Sequence, residues 1–166
     1  MSAALGGELR RLLDDAFEGD FTDEDWAHTF GGCHLVMFDG ATVVSHAAVV
    51  GRTIRVAGVD FRSGYVEGVA TRPEQQQKGA GSAVMVAASA LIGEQFELGV
   101  LSTGLHGFYG RLGWESWQGA SFVDDGGRLL RSHDEDDGIM VLRFRRSAGI
   151  DLTSAIVCPA RPGDDW

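Results

Sequence analysis

Gly64-Tyr65-Val66-Glu67-Gly68-Val69-Ala70-Thr71-Arg72 runs through Pro73-Glu74-Gln75 into Gln76-Gln77-Lys78-Gly79-Ala80-Gly81 and then into a stretch rich in Ala, Val, Met and Ser. The first part is apolar and β-branched, and it predicts a strand over about 64–70. The last part, 79–92, carries few charges and predicts a helix packed along much of its circumference. Between them Gly79 and Gly81 flank Ala80 at the mouth of that helix. Small residues there let backbone N–H groups approach a phosphate, and the helix dipole favours negative charge. Glycines at a helix start also serve simple packing, so the turn alone does not decide a function. It is neither a G-x-x-x-x-G-K-[ST] loop nor a G-x-G-x-x-G turn, which removes the P-loop and dinucleotide-fold readings.

Working outward, Leu5, Leu9, Leu12, Leu13, Ala16 and Phe17 recur at helical spacing and predict an amphipathic first helix, broken by Gly19-Asp20. Thr22 with Asp25 resembles a capping box that starts a second helix carrying Trp26 and Phe30 and ending at Gly31-Gly32. A meander is then predicted. Its strands are 33–38, 42–50 and 53–56, with a hairpin signal at Asp39-Gly40 and a turn at Ala57-Gly58, before the strand at 64–70. After the glycine-flanked helix come a buried strand at 98–102, a helix at 105–112 closed by Gly113, and a strand starting over 114–117. A turn follows at Asp124-Asp125-Gly126-Gly127, and the last well-formed strand is 139–144. Strand, helix, strand over 64–102 is a βαβ unit. The acidic run at 134–137 reads as a loop, and 162–166 as a tail. The whole is expected to be one domain, 1–166.

Composition narrows the function classes. The chain has 166 residues, 44% hydrophobic and 23% charged, with a net charge of −10. Nucleic-acid partners call for a basic surface and are disfavoured. An acidic balance suits a cationic substrate, and equally suits solubility alone. Cys33 and Cys158 lack metal-site spacing and are expected to pack as small hydrophobes. No metal is implied. His28, His34, His46, His106 and His133 share no motif. No signal peptide or membrane span is legible, so a cytoplasmic location is expected.

The order of elements, with residues 76–81 and Phe108-Tyr109-Gly110-Arg111-Leu112-Gly113-Trp114, resembles the GCN5-related N-acetyltransferase (GNAT) superfamily over nearly its full length. Residues 16–22 with Asp25-Trp26, residues 64–70, Asp136-Asp137-Gly138 and the ending Gly163-Asp164-Asp165-Trp166 are similar to the actinobacterial aminoglycoside 2′-N-acetyltransferases. The resemblance implies an α/β (α+β) GNAT fold: a mixed central sheet, an antiparallel N-terminal meander, a βαβ acyl-CoA-binding unit and flanking helices. It implies acetyl-CoA as donor, a cationic aminoglycoside as acceptor, and by analogy a homodimer.

Acetyl transfer to an amine needs a base for the ammonium, a stabiliser for the oxyanion and a neutraliser for the leaving thiolate. The resemblance gives the base role to Glu67, acting through a water, and the acid role to Tyr109. Alone, Glu67 also reads as an outward strand residue, and Tyr109 as a core aromatic beside Phe108. A bulge at Gly68 would free a backbone N–H for the thioester carbonyl. Gly68, Val69 and Thr71 would bind the acetyl and pantetheine groups, and Gln76, Gln77, Lys78, Gly79, Ala80, Gly81 and Ser82 the pyrophosphate. Asp20, Asp25, Glu67, Ser102, Asp136, Asp164 and Trp166, through its carboxylate, would read the acceptor by charge-assisted hydrogen bonds. Each acid alone also reads as a solvated loop residue, Asp25 as a helix-start residue and Asp20 as a turn residue. Two other readings stand beside this one. The first is an N-acetyltransferase for a polyamine, amino sugar or peptide. The second is a non-catalytic GNAT-like protein that binds aminoglycosides.

Overall fold

A computed structural model describes residues 1–166. The chain forms two compact units, one of residues 1–50 and 66–90, the other of residues 51–65 and 91–166.

In the first unit, α1 (Ala3–Ala16) starts at Ser2, whose hydroxyl accepts from Leu5 N at 3.3 Å. The predicted stripe is the buried one: Leu9, Leu12 and Leu13 are at most 1% exposed. Burying each stabilises the fold by about 1.5–3 kcal/mol. They pack with Phe21, Val43 and Ala70. The capping box at Thr22 and Asp25 is present and opens α2 (Asp23–His28). That helix ends earlier than expected. Thr29 Oγ1 donates to Trp26 O at 2.8 Å, which takes up a terminal carbonyl before Gly31 is reached and leaves Phe30 exposed beyond the helix.

The strands β1 (Cys33–Asp39) and β2 (Thr42–Val56) pair antiparallel, with a register shift between Met37 and Phe38. Cys33 is exposed rather than packed, and Cys158 is buried; both are free thiols. The two strands expected at 42–50 and 53–56 are one. Gly51 does not break β2, because it gives room to the Phe96 ring, 3.4 Å from where its Cβ would sit. Ala57 (φ 49°) and Gly58 (φ 81°) then make a left-handed two-residue turn. The following strand, β3 (Val59–Thr71), is longer than predicted.

α3 (Ala80–Gln95) leads from β3 to β4 (Leu98–Ser102). Residues Ser63, Gly64 and Tyr65 pair parallel with Leu98, Gly99 and Val100, so the βαβ unit is real. α3 is less enclosed than its composition implies: Val84, Met85, Ala88 and Ile92 are buried, but Val86 is 57% exposed and Ala83, Ala87 and Ala90 are exposed too. Composition reports how apolar a helix is, not how many neighbours it meets.

The second unit continues with α4 (His106–Gly110), β5 (Glu115–Ser116), β6 (Ser121–Asp125), β7 (Arg128–Arg131) and β8 (Ile139–Arg143). Its sheet runs β5-β8-β4-β3-β2, then β9 (Ile156–Pro159), β6 and β7, with β9 antiparallel to β2 and parallel to β6. The strand at 139–143 is therefore not the last. β9 offers only Ile156, Val157 and Cys158 before Pro159, too short a run to be legible without the two strands that hold it. The segment after it is not a tail. Arg161 N donates to Asp165 Oδ1 at 2.8 Å, and Trp166 is 4% exposed in a core with Tyr65, Trp117 and Cys158. No helix is long and apolar enough to cross a membrane.

One close approach gives a test. A Cβ at Gly119 would lie 1.9 Å from Ser154 O and 2.6 Å from Thr153 O, both backbone atoms, while nothing lies within 4 Å of one at Gly104. Gly119→Ala is expected to cost about 3 kcal/mol and lower the thermal midpoint by about 6–12 °C, with Gly104→Ala within about 2 °C of the native protein. Thermal unfolding followed by circular dichroism checks both.

Candidate functional site

The end of β3 is where local geometry departs from a plain strand. Gly68 has φ 54°, a left-handed value inside an extended segment and the mark of a bulge. Leu13 Cδ2 would be 3.3 Å from a Cβ at this position, so a side chain would meet a tight contact as well as a strained dihedral. Glu67 precedes it and is half-buried. Side chains of β2 hold the carbonyls that follow: Ser45 Oγ donates to Ala70 O at 2.9 Å and lies 2.8 Å from Thr71 Oγ1, and His46 Nδ1 lies 2.7 Å from Gly68 O.

Beyond Thr71 a single 3₁₀ turn (Pro73–Gln75) redirects the chain. Gln76 folds back, its Nε2 donating to Thr71 O at 3.3 Å. Gln77 (φ 61°) and Gly79 (φ 92°) are both left-handed, and α3 begins at Ala80. A left-handed Gln77 is a strained choice for a residue with a side chain. Residues 76–79 are exposed, and nothing lies within 4 Å of a Cβ at Gly79. The amides that open an α-helix have no intrahelical acceptor. A phosphate fits here: open backbone, the N-terminus of a 16-residue helix and the exposed Lys78 alongside.

In the second unit, Tyr109 lies on α4, 6% exposed, with its ring 4.9 Å from Phe108 and 6.3 Å from Trp114. Burial pushes its phenol up to about 12, so it is a protonated donor at neutral pH.

The candidate acceptor-binding residues of the loops and strand ends divide into three kinds. Asp20 is exposed in the turn after α1. Asp25 serves the capping box, with Oδ2 accepting from Thr22 N and Thr22 Oγ1, each at 2.8 Å. Asp136 is committed more deeply. Its Oδ1 accepts from Ser121 N at 2.9 Å, Ser121 Oγ at 2.8 Å and Arg131 Nη1 at 2.7 Å, while Oδ2 takes Arg131 Nη2. The Arg131 guanidinium, aided by Ser121, holds this carboxyl well below the usual carboxylate range. Ser102 and Asp164 form the third kind, and here the structure adds a residue the sequence did not single out. Ser102 Oγ donates to Glu135 Oε2 at 3.0 Å. Burial raises the Glu135 carboxyl, and the negative fields of Asp164 and Asp134 raise it further, so these acids lie close together. In the sequence Glu135 is one of four consecutive acids, with nothing to mark it as the one turned towards Ser102. No group of three or more His, Cys, Asp or Glu side chains is arranged to hold a metal ion.

Residues 7–117 match the acetyltransferase (GNAT) domain family. The chain belongs to the GNAT acetyltransferases. It is 38% identical, over 95% of its length and 83% of the relative's, to the aminoglycoside 2′-N-acetyltransferase of Mycolicibacterium fortuitum. Among solved structures, a GNAT family N-acetyltransferase from Escherichia coli in complex with CoA has a TM-score of 0.69 at 16% identity, covering 95% of this chain and 86% of that one. The GCN5-related N-acetyltransferase of Kribbella flavida matches with a TM-score of 0.62 at 21% identity over 72% of this chain, which spans only 32% of that longer protein. These structural likenesses bear out the expected α/β fold with its mixed sheet and βαβ unit. As a GNAT acetyltransferase the chain takes its acetyl group from acetyl-CoA, and the open turn before α3 has the chemistry to hold that donor's phosphates.

The Asp136 clamp carries a pH signature in this acetyltransferase. A carboxyl depressed in the folded chain contributes stability that is complete above the unfolded pKa, near 3.8, and is lost as pH falls from there through the folded value. Asp136→Asn is expected to lower the thermal midpoint at neutral pH by several degrees, with the gap to the native protein narrowing below about pH 4. Equal midpoints for the two proteins at neutral pH would show that the clamp contributes nothing.

Proposed function

We propose that the protein acetylates the 2′-amino group of aminoglycosides by direct transfer from acetyl-CoA, with Glu67 as base through a water. The similarity to an aminoglycoside 2′-N-acetyltransferase along 95% of the chain carries the choice of acceptor. The net charge of −10 agrees with a polycationic one.

The reaction consumes an ammonium and a thioester and yields an amide, a thiol and one proton. Glu67 removes the first proton, since only the neutral amine attacks. Its position supports this: it immediately precedes the left-handed Gly68, and the next N–H, that of Val69, serves as donor to the oxyanion formed when the C–N bond closes. Collapse then breaks the C–S bond, and the second amine proton ends on the sulfur. Tyr109 contributes by donating a hydrogen bond to that sulfur. With a phenol near 12 against a thiol near 8.5, it stabilises the thiolate rather than surrendering its own proton. Backbone groups of Gly68, Val69 and Thr71 hold the acetyl and pantetheine groups, and residues 76–82 the pyrophosphate. Asp20, Ser102 and Asp164, joined by Glu135, read the acceptor's ammonium and hydroxyl groups. Asp25 contributes beside its capping role, as does the Trp166 carboxylate. Asp136 acts indirectly, by fixing the loop that carries Glu135.

Thiol release with acetyl-CoA and a panel of amines tests the acceptor. Turnover is expected with aminoglycosides bearing a 2′-amino group, and none where that position is a hydroxyl. Turnover confined to polyamines, amino sugars or peptides would replace the acceptor, and tight aminoglycoside binding without thiol release would make the chain a binding protein. Glu67→Gln is expected to lower kcat about 100-fold and remove the acidic limb of its pH dependence. An unchanged profile would take the base role from Glu67.

A further inference from the structure

His46 has no exposed surface, yet it lies in the middle of β2 among Val43, Val44, Ala47 and Ala48. Its Nδ1 is 2.7 Å from Gly68 O, and its Nε2 is 2.9 Å from His34 Nδ1 on β1. A carbonyl oxygen can only accept, so Nδ1 carries the ring proton. Burial drops the pKa of this imidazole to about 4 and keeps the ring neutral. A neutral ring has one N–H, which makes Nε2 an acceptor and His34 Nδ1 its donor. One backbone carbonyl therefore dictates the tautomers of both rings.

That carbonyl shares a peptide plane with the N–H of Val69. The chain has no cis peptide, and in a planar trans peptide C=O and N–H point in opposite directions. Drawing Gly68 O towards His46 therefore aims the Val69 N–H away from it. The plane is held on other sides too. Leu13 and Thr29 crowd the Cα of Gly68, at 3.3 and 3.5 Å from an added Cβ, and Ser45 Oγ fixes Ala70 O two residues on.

We propose that His46, held by His34 through its Nε2, is a positioning residue for acetyl transfer: it locks the Gly68–Val69 peptide so that the Val69 N–H meets the thioester oxygen. This rests on the reading of Val69 N–H as the oxyanion donor. His46 touches no reacting atom and works through the Gly68 carbonyl alone. The sequence hid this role because neither histidine belongs to a motif.

Three variants and two readouts test the proposal. His46→Phe keeps the ring volume and removes the donor, while His46→Asn keeps an N–H close to where Nδ1 was. His34→Phe, at a half-buried site, leaves the Gly68 bond but removes the partner of His46 Nε2. His46→Phe is expected to lower kcat about 10- to 100-fold, with both KM values within about twofold of native. His46→Asn should recover most of that loss, and His34→Phe should lose about 2- to 5-fold. The second readout is the infrared carbonyl stretch of bound acetyl-CoA labelled with ¹³C at the thioester carbon. It should sit below its value in water in the native protein and in His46→Asn, and return towards the water value in His46→Phe. A native shift retained in His46→Phe, or an Asn variant as slow as Phe, would overturn the role of His46 and leave the oxyanion donor standing. No shift in the native protein would remove the Val69 donor itself, and the proposal with it. Should His46→Phe not fold, His34→Phe carries the test: a roughly 2- to 5-fold loss of kcat with the carbonyl stretch moved part-way to its water value supports the proposal, and an unchanged kcat with an unchanged stretch overturns it.

Discussion

The left-handed backbone at Gly68 is the constraint around which the end of β3 is built. A regular strand turns every peptide group into its ladder, where N–H and C=O are used up. A single residue at φ 54° releases that requirement locally. Ser45 and His46 of β2 take Ala70 O and Gly68 O as partners, in keeping with the cost of an unmet buried acceptor. The bulge is thus a compensated defect, stabilised by α1 packing behind it and by polar side chains beside it. Glycine meets both its dihedral and the tight space left by Leu13 without strain.

The turn before α3 uses a second kind of departure. Gln77 and Gly79 are left-handed in succession around Lys78, and the helix that follows starts with small residues. Its backbone is therefore open to a bound anion, and its partial positive charge is not diluted by acids in the first turn. Charge in the acids is handled differently. Some are spent internally, as Asp136 is on Arg131 and Ser121. Others, such as Asp20 and Asp164, stay exposed. A net charge of −10 says nothing about this division, and the division is what decides which acids can meet a cation.

Much of the fold was legible because it is written in local patterns. The stripe Leu5, Leu9, Leu12, Leu13 is the buried face of α1, the Thr22–Asp25 box forms as expected, and residues 98–102 are β4. What was misread has a common physical origin. The strands expected at 42–50 and 53–56 are one, with Gly51 inside it a seat for Phe96; β9 is too short to signal itself; Trp166 reads as the end of a tail and is core. Each depends on a partner distant in sequence. Tyr109 and Glu67 are singled out by resemblance rather than by pattern, since a buried tyrosine and a lone strand carboxylate have commoner explanations.

The sequence by itself determined the element types, the order strand, phosphate turn, helix, strand, and the family to which that order belongs. It could do so because helix periodicity, caps and glycine turns are properties of neighbouring residues. Only the tertiary structure decided which groups are spent and which are available: that Asp136 is neutralised by Arg131, that Glu135 is the acid facing Ser102, and that His34 and His46 form a pair ending on the Gly68 carbonyl. Hydrogen bonds of this kind join residues up to tens of positions apart and depend on distances of a few tenths of an ångström, and no spacing along the chain encodes them.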